Sequence, residues 1–221
     1  MGGLVFAGAF NPPTVAHTRL AQIALEQTGS EYVTFVPSKQ IYIRDKQKKS
    51  YAISDGDRLS FLYRLAENRP WMRVTDYEIR QTEQPRTYLT MKALQKMGLG
   101  GSLLIGTDKL SELDYAWRYV TEIAKEFGIV CMEREQDDAA TIIKSSQLLS
   151  SLSSHIRIIK TPTTYRFASS TKVRTCFMEI EERLHLLQEF LEPEVYDEYI
   201  VGLLRSQGRK NPDSEEKGIF S

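Results

Sequence analysis

Leu4-Val5-Phe6-Ala7-Gly8-Ala9-Phe10-Asn11-Pro12-Pro13-Thr14-Val15-Ala16-His17-Thr18-Arg19-Leu20 passes from apolar run to turn to helical pattern within one short stretch. Leu4 to Phe6 is a short apolar run of the kind a buried strand shows. The chain then breaks at Gly8, stiffens at Pro12 and Pro13, and resumes with helical spacing. Thr14 is placed to cap that helix, and His17 falls in its first turn. A strand, a tight turn and a helix in succession bring free backbone N–H groups to one point, and such a point attracts phosphate. The stretch predicts a nucleotide site, with Thr14 and His17 one turn apart and facing it.

Outward from there, a helix is predicted over Val15 to Gln27, with Ala16, Leu20, Ile23 and Ala24 near one face and Gly29 as its stop. Tyr32 to Pro37 is β-branched and aromatic, hence a second strand, and strand–helix–strand implies a right-handed crossover. Lys39 to Ser50 carries Lys39, Arg44, Lys46, Lys48 and Lys49 against the acid Asp45. Such a run is either a solvated surface loop or a basic loop that closes over phosphate. Its place after a strand of an open sheet keeps the second reading alive.

The alternation continues. A helix is predicted over Ser54 to Asn68, capped by Ser54, with Leu59, Phe61, Leu62 and Leu65 as its apolar cover. A third strand is predicted over Met72 to Arg80, a helix over Thr87 to Met97, and a strand over Ser102 to Gly106 that runs into Thr107-Asp108. A helix over Tyr115 to Phe127 follows, then a strand over Ile129 to Met132, a Ser-rich helix over Ala139 to Leu152 and a strand over Ile156 to Lys160. Two helical stretches, Glu181 to Leu191 and Pro193 to Leu204, close the pattern. The expected architecture is α/β: a Rossmann-like, doubly wound, mostly parallel sheet with C-terminal helices. A single domain is expected over 1–205, with a disordered tail over 206–221.

Composition narrows the function classes. Lys+Arg and Asp+Glu both number 29, so the formal net charge is zero and a nucleic-acid partner is not expected. The two cysteines, Cys131 and Cys176, lie far apart and form neither a disulfide framework nor a zinc spacing. No apolar run approaches a membrane span, and the start lacks the layout of a signal peptide. Phe6 stands where an N-myristoylation motif wants Ser or Thr. A cytoplasmic protein without a membrane partner is expected. Neither a Gly-x-Gly-x-x-Gly fingerprint nor a Walker A sequence follows the first strand, so the phosphate device is a different one.

Two segments stand out as a pair: Gly8 to His17, and Ala168-Ser169-Ser170-Thr171-Lys172-Val173-Arg174. Each is a loop running into a helix start, with hydroxyls and one cationic or potentially cationic side chain. Here the sequence resembles the nicotinamide/nicotinate mononucleotide adenylyltransferases of the nucleotidyltransferase superfamily. Their first signature is matched by Gly8-Ala9-Phe10-Asn11-Pro12-Pro13-Thr14-Val15-Ala16-His17, and their second by Ala168 to Arg174. Ile105-Gly106-Thr107-Asp108-Lys109-Leu110 with Trp117 is similar to a middle segment, and Phe190 to Ile200 to the closing helix. Ala9 stands where the family has a hydroxyl residue, Thr14 where many members have a first histidine, and Ala168 where an isoleucine is usual. None of these removes a group that the chemistry needs.

The resemblance implies transfer of AMP from ATP to nicotinamide or nicotinate mononucleotide, with Mg²⁺ on the triphosphate. It implies catalytic roles for His17, Arg174 and Thr14. It implies an ATP site of Gly8, Ala9, Phe10, Thr14, His17, Gly106, Asp108, Ser169, Thr171 and Arg174. The mononucleotide would meet Tyr88, Thr90 and Trp117, and one of Lys46, Lys48 or Lys49 at its phosphate. No protein-held metal is implied, the pyridine preference stays open, and a homo-oligomer is compatible with the apolar faces of the C-terminal helices. Two alternatives are weaker. A pantetheine-phosphate adenylyltransferase or a cytidylyltransferase lacks the matching segment from Trp117 to the closing helix. A non-catalytic nucleotide-binding protein of this fold would be expected to have lost His17 or Arg174. His155 and His185 have no comparable setting and are expected to be structural.

Overall fold

A computed structural model describes residues 2–45, 53–134, 138–162, 170, 173 and 187–197. In chain order it runs β1 (Gly3–Gly8), α1 (Val15–Thr28), β2 (Val33–Pro37), α2 (Gln40–Asp45), α3 (Asp55–Glu67), β3 (Met72–Val74), α4 (Tyr77–Arg80) and α5 (Thr87–Lys96). It continues with β4 (Gly101–Gly106), α6 (Thr107–Ala116), α7 (Val120–Phe127), β5 (Ile129–Arg134), α8 (Ala139–Ser145), α9 (Gln147–Ser151), a 3₁₀ turn (Ser153–His155) and β6 (Ile156–Thr161). The strands form one sheet of order β3-β2-β1-β4-β5-β6, parallel throughout. This is the doubly wound, Rossmann-like order that the alternation predicts.

Strand periodicity builds two cores. Leu4, Val33, Phe35, Leu104, Val130, Met132 and Ile159 face one side, where Ala21 and Ala24 of α1 and Phe61, Leu62 and Leu65 of α3 cover them. Val5, Val36, Leu103, Ile105, Ile129, Cys131 and Ile156 face the other, under Met91 and Leu94 of α5, Leu110 and Leu113 of α6 and Ile123 of α7. Successive strand residues point to opposite faces, so both faces are apolar and the strands read as near-continuous apolar runs.

The order reverses between β1 and β4, and there the strands part. Their ladder covers Gly3–Val5 against Gly101–Leu103. By contrast, β1 stays paired with β2 as far as Gly8↔Pro37, and β4 with β5 as far as Gly106↔Met132. The last residues of the two central strands thus flank a crevice at their carboxyl ends, the place where open α/β sheets bind ligands.

Several expectations need correction. The third strand ends at Val74 rather than Arg80, because the Thr75 hydroxyl accepts the Tyr77 N–H at 3.2 Å and turns the chain into α4. The helix expected over Tyr115 to Phe127 is two helices, α6 and α7, and α6 starts directly off β4 at Thr107. They separate where Trp117 is extended (φ −102°, ψ 147°) and Tyr119 is left-handed (φ 66°). The helix expected over Ala139 to Leu152 breaks at Ser146, whose hydroxyl caps α9 at the Leu149 N–H, 3.1 Å away. Part of the basic loop is helical, as α2. The rest of that loop, at 46–50, lies outside the described residues, as do most of the C-terminal helices and the whole tail.

The close pairing of β1 and β4 depends on Gly101. A Cβ there would sit 1.8 Å from the Gly3 carbonyl oxygen, a collision with backbone that cannot be relieved by a side-chain rotation. Gly101→Ala is expected to cost about 3 kcal/mol of stability, the upper end of overpacking effects, read as a lower urea midpoint at unchanged slope.

Candidate active site

The first loop is held from below by rings. Phe10 lies edge-on to Phe6 and tilted to Phe35, each at 5.4 Å between centroids. The His17 ring meets Phe10 edge-on at 5.2 Å. Phe10 itself is buried and takes φ 43°, a left-handed backbone that a non-glycine residue adopts at a cost of about 1–2 kcal/mol. The aromatic cluster offsets that cost and turns the chain sharply after β1.

At the start of α1, Thr14 is the buried N-cap and His17 the third helical residue of a capping box. The Thr14 backbone N–H donates to His17 Nδ1 at 3.1 Å, and Thr14 Oγ1 lies 2.8 Å from the same nitrogen. An Nδ1 that accepts a backbone N–H carries no proton, so in the neutral ring the proton sits on Nε2 as a donor. The sequence expectation of a pair at the helix start is met, and the roles divide. Thr14 orients the ring, and His17 offers the donor.

A buried arginine ties this loop to its neighbours. Arg58 on α3 donates from Nη1 to the Ala9 carbonyl at 2.7 Å, from Nη2 to the Ser38 carbonyl at 2.5 Å and from Nε to the Ile53 carbonyl at 3.3 Å. Nη2 also pairs with Asp55 Oδ1 at 2.5 Å. Burial pulls the guanidinium pKa below its usual value, and Asp55 opposes that shift. Asn11 Oδ1 accepts the Ile53 N–H at 2.9 Å, a second tie between the first loop and the entrance to α3.

Two helix starts meet at the crevice, and they differ in charge. The first turn of α1 has no acidic residue, so the positive end of its dipole is uncompensated by the chain. The first turn of α6 carries its own carboxylate, the exposed Asp108. A Cβ on Gly106 would lie 2.7 Å from Asp108 Oδ1, so the glycine is what lets this carboxylate fold back over the end of β4. The first site suits phosphate. The second repels phosphate and suits hydroxyl donors such as those of a ribose.

Beside β2 and β3 lies a buried polar network. Glu78 of α4 accepts the Thr90 hydroxyl at 2.7 Å and the Gln84 amide at 2.5 Å, and it is hydrogen-bonded to the Ser38 side chain. Burial pushes its carboxyl above the usual range, against these bonds, which favour the ionised form. Lys39, the first cation of the basic loop, donates its ammonium to the carbonyls of Ile79, at 2.9 Å, and Gln81. Thr90 is buried in this network, whereas Tyr88 donates to Glu126 at 2.8 Å and stacks on Tyr119 at 5.3 Å. Residues two apart on a helix point about 200° apart, and the structure does not bring Tyr88 and Thr90 to one surface. Trp117 is half-buried against the core under α6 and α7.

The second loop touches the first: the Ser170 hydroxyl donates to the Pro12 carbonyl at 2.8 Å, and Val173 is buried. Ser169, Thr171, Arg174, Lys46, Lys48 and Lys49 lie outside the described residues. Among the described residues no cluster of three His, Cys, Asp or Glu side chains could hold a metal ion. No described helix is long and apolar enough to cross a membrane.

This loop–helix device at a switch-point crevice is matched in known proteins. Residues 5–176 match a family model described as Cytidylyltransferase-like. A probable nicotinate-nucleotide adenylyltransferase of Aquifex aeolicus is 34% identical over 135 residues, spanning 60% of this chain and 77% of that one. The chain belongs to the cytidylyltransferase-like family, in its nicotinamide/nicotinate mononucleotide adenylyltransferase branch. An Oryza sativa nicotinamide/nicotinic acid mononucleotide adenylyltransferase is 29% identical over 187 residues, 78% of this chain and 75% of that one. The Plasmodium falciparum nicotinic acid mononucleotide adenylyltransferase solved with NaAD shares the fold, at TM-score 0.70 and 17% identity over 92% of this chain and 97% of that one.

Within this adenylyltransferase fold, Arg58 and Glu78 are the residues that sequence reasoning passed over. The signal for Arg58 was present. It stands at the spacing of Phe61, Leu62 and Leu65, the stripe that α3 buries, while Leu59 is only half-buried. A charge in the apolar stripe marks a buried ion with partners. Arg58→Met is expected to lower stability by about 3–5 kcal/mol, because the carbonyls of Ala9, Ser38 and Ile53 lose a donor and Asp55 a cation; equilibrium denaturation reads this.

Glu78 yields a pH dependence. Its folded pKa lies above the ordinary 4.5, so between the two values the folded chain binds more protons than the unfolded one. Stability from this group is therefore full below 4.5 and lost as pH rises through the folded pKa. Glu78→Gln lacks that loss, and its unfolding free energy relative to the parent is expected to grow as pH rises from 4.5 towards neutrality. Urea titrations at a series of pH values test this, and a pH-independent difference would refute it.

Proposed function

We propose that the chain transfers AMP from ATP to nicotinamide or nicotinate mononucleotide, producing NAD or deamido-NAD and pyrophosphate. The observation that carries this is His17, clamped by Thr14 with its donor nitrogen at an acid-free helix start beside the switch-point crevice. A phosphate oxygen of the mononucleotide attacks the α-phosphorus of ATP in line, and the bond to the pyrophosphate oxygen breaks. The attacking group is already anionic near neutrality, its second pKa being about 6. No general base is needed, and the protein supplies alignment and charge stabilisation.

In this reading His17 Nε2–H donates to the α-phosphate as charge builds, with the first N–H groups of α1 beside it. Gly8, Ala9 and Phe10 offer backbone rather than side chains. Asp108 takes the ribose hydroxyls. Ser169, Thr171 and Arg174 form the other wall of the triphosphate site. Trp117 and one of Lys46, Lys48 or Lys49 complete the second substrate site. ATP would enter as its Mg²⁺ complex, the ion travelling with the substrate. The bound ion neutralises triphosphate charge. Residues 1–205 act as one catalytic domain in the cytoplasm, with no nucleic acid or membrane involved.

Purified protein given ATP, Mg²⁺ and each mononucleotide in parallel is expected to release pyrophosphate with at least one of them. His17→Ala is expected to lower kcat about 10²–10³-fold, the scale of losing one charge-stabilising donor. Folded protein that turns over neither mononucleotide would overturn the assignment.

A further inference from the structure

Tyr88 of α5 and Tyr119, the N-cap of α7, lie ring on ring, 5.3 Å between centroids and 28° from parallel. That spacing falls in the range of offset-stacked aromatic pairs. Tyr88 has two further holds on α7. Its hydroxyl donates to Glu126 at 2.8 Å, and its ring meets Phe127 edge-on at 6.3 Å. Lys92, one turn along α5, donates to the same carboxylate at 3.1 Å. Tyr88 is thus fastened to both ends of α7, to Tyr119 at the start and to Glu126 and Phe127 in the last turn.

Tyr119 takes φ 66° and ψ 28°, a left-handed backbone that a bulky residue keeps only where its surroundings hold it there. Released, such a residue returns to negative φ, and the chain before it swings with it. Two residues earlier stands Trp117, extended at φ −102° and ψ 147° and half-buried against the core under α6 and α7. The conformation of Tyr119 therefore sets where the indole lies relative to α7. The position is also the right one for a ligand. In the all-parallel sheet, α5 leads into β4 and α7 into β5, so both helices run back against the strands and begin at the carboxyl-end side, where the crevice lies.

We infer that Tyr88 and Tyr119 are positioning residues: their stack holds the left-handed turn at Tyr119 and so fixes the Trp117 ring at the mononucleotide. This rests on the proposed adenylyl transfer for what Trp117 meets. Tyr88 acts through Tyr119 rather than by contact with the pyridine.

Trp71 and Trp117 are the two tryptophans of the chain, so Trp71→Phe leaves Trp117 as the sole indole fluorophore. In that background Tyr119→Ala removes the ring at the left-handed position, Tyr88→Ala removes the ring stacked on it, and Tyr119→Phe keeps the stack. Acrylamide quenching of Trp117 without substrate, and KM for ATP and for the mononucleotide, are measured for each. Tyr119→Ala and Tyr88→Ala are each expected to raise the quenching constant about twofold, as a half-buried ring opens to solvent. Both are expected to raise the mononucleotide KM about tenfold, within the range for losing one ring stacked on a base, with KM for ATP within about twofold. Tyr119→Phe is expected to match its background in all three. Unchanged quenching in either folded alanine variant would overturn the positioning role. So would greater quenching with an unchanged mononucleotide KM, or equal rises in both KM values. A parent chain that turns over neither mononucleotide would count against the proposed function instead, and the quenching constants would still decide whether the stack holds Trp117.

Discussion

One buried guanidinium holds the carboxyl ends of β1 and β2 together. Arg58 reaches the carbonyls of Ala9, Ser38 and Ile53 and the carboxylate of Asp55 from a fully buried position. Each carbonyl belongs to a segment leaving regular structure, where backbone groups lack ladder partners and would be costly to bury alone. A planar fork with five donors can serve several of them at once, which an ammonium on a flexible stem cannot do with the same fixed geometry. The Asn11–Ile53 bond adds a second tie beside this anchor.

Electrostatics then sorts the crevice. A doubly wound sheet aims the starts of its helices at the carboxyl ends of the strands, which would make every such helix a phosphate attractor. This chain distinguishes them by composition of the first turn. Asp55 and Asp57 fill the start of α3, and Asp108 the start of α6, whereas the first turns of α1, α5 and α8 have no acid. His17 adds a donor whose direction is set by the Thr14 backbone rather than by solvent. Donors that need no reorganisation as charge develops are the kind that catalysis by charge stabilisation requires.

Much of this was legible before the structure. The capped start of α1 at Thr14, its stop at Gly29 with φ 69°, and the Ser54 cap of α3 (3.0 Å to the Asp57 N–H) are local features, and local chemistry determines them. The buried parallel strands announced themselves as apolar runs. The misreadings share a cause. Met72 to Arg80 alternates like a strand, yet Glu78 is drawn inward by Thr90, Gln84 and Ser38, residues distant in sequence. Tyr115 to Phe127 has continuous helical composition, and nothing in it announces the left-handed Tyr119 that separates α6 from α7. Arg58 falls in a helix that the pattern predicts, but its role is not legible there, because its partners are mostly carbonyls, which have no sequence signature.

The Glu78 network also divides the basic loop by role. With the Lys39 ammonium on the carbonyls of Ile79 and Gln81 and its backbone N–H on Gln84 Oε1 at 2.9 Å, the first cation after β2 closes α4 rather than facing a ligand. The same Gln84 donates to Glu78, so the root of the loop is fixed through a buried carboxyl.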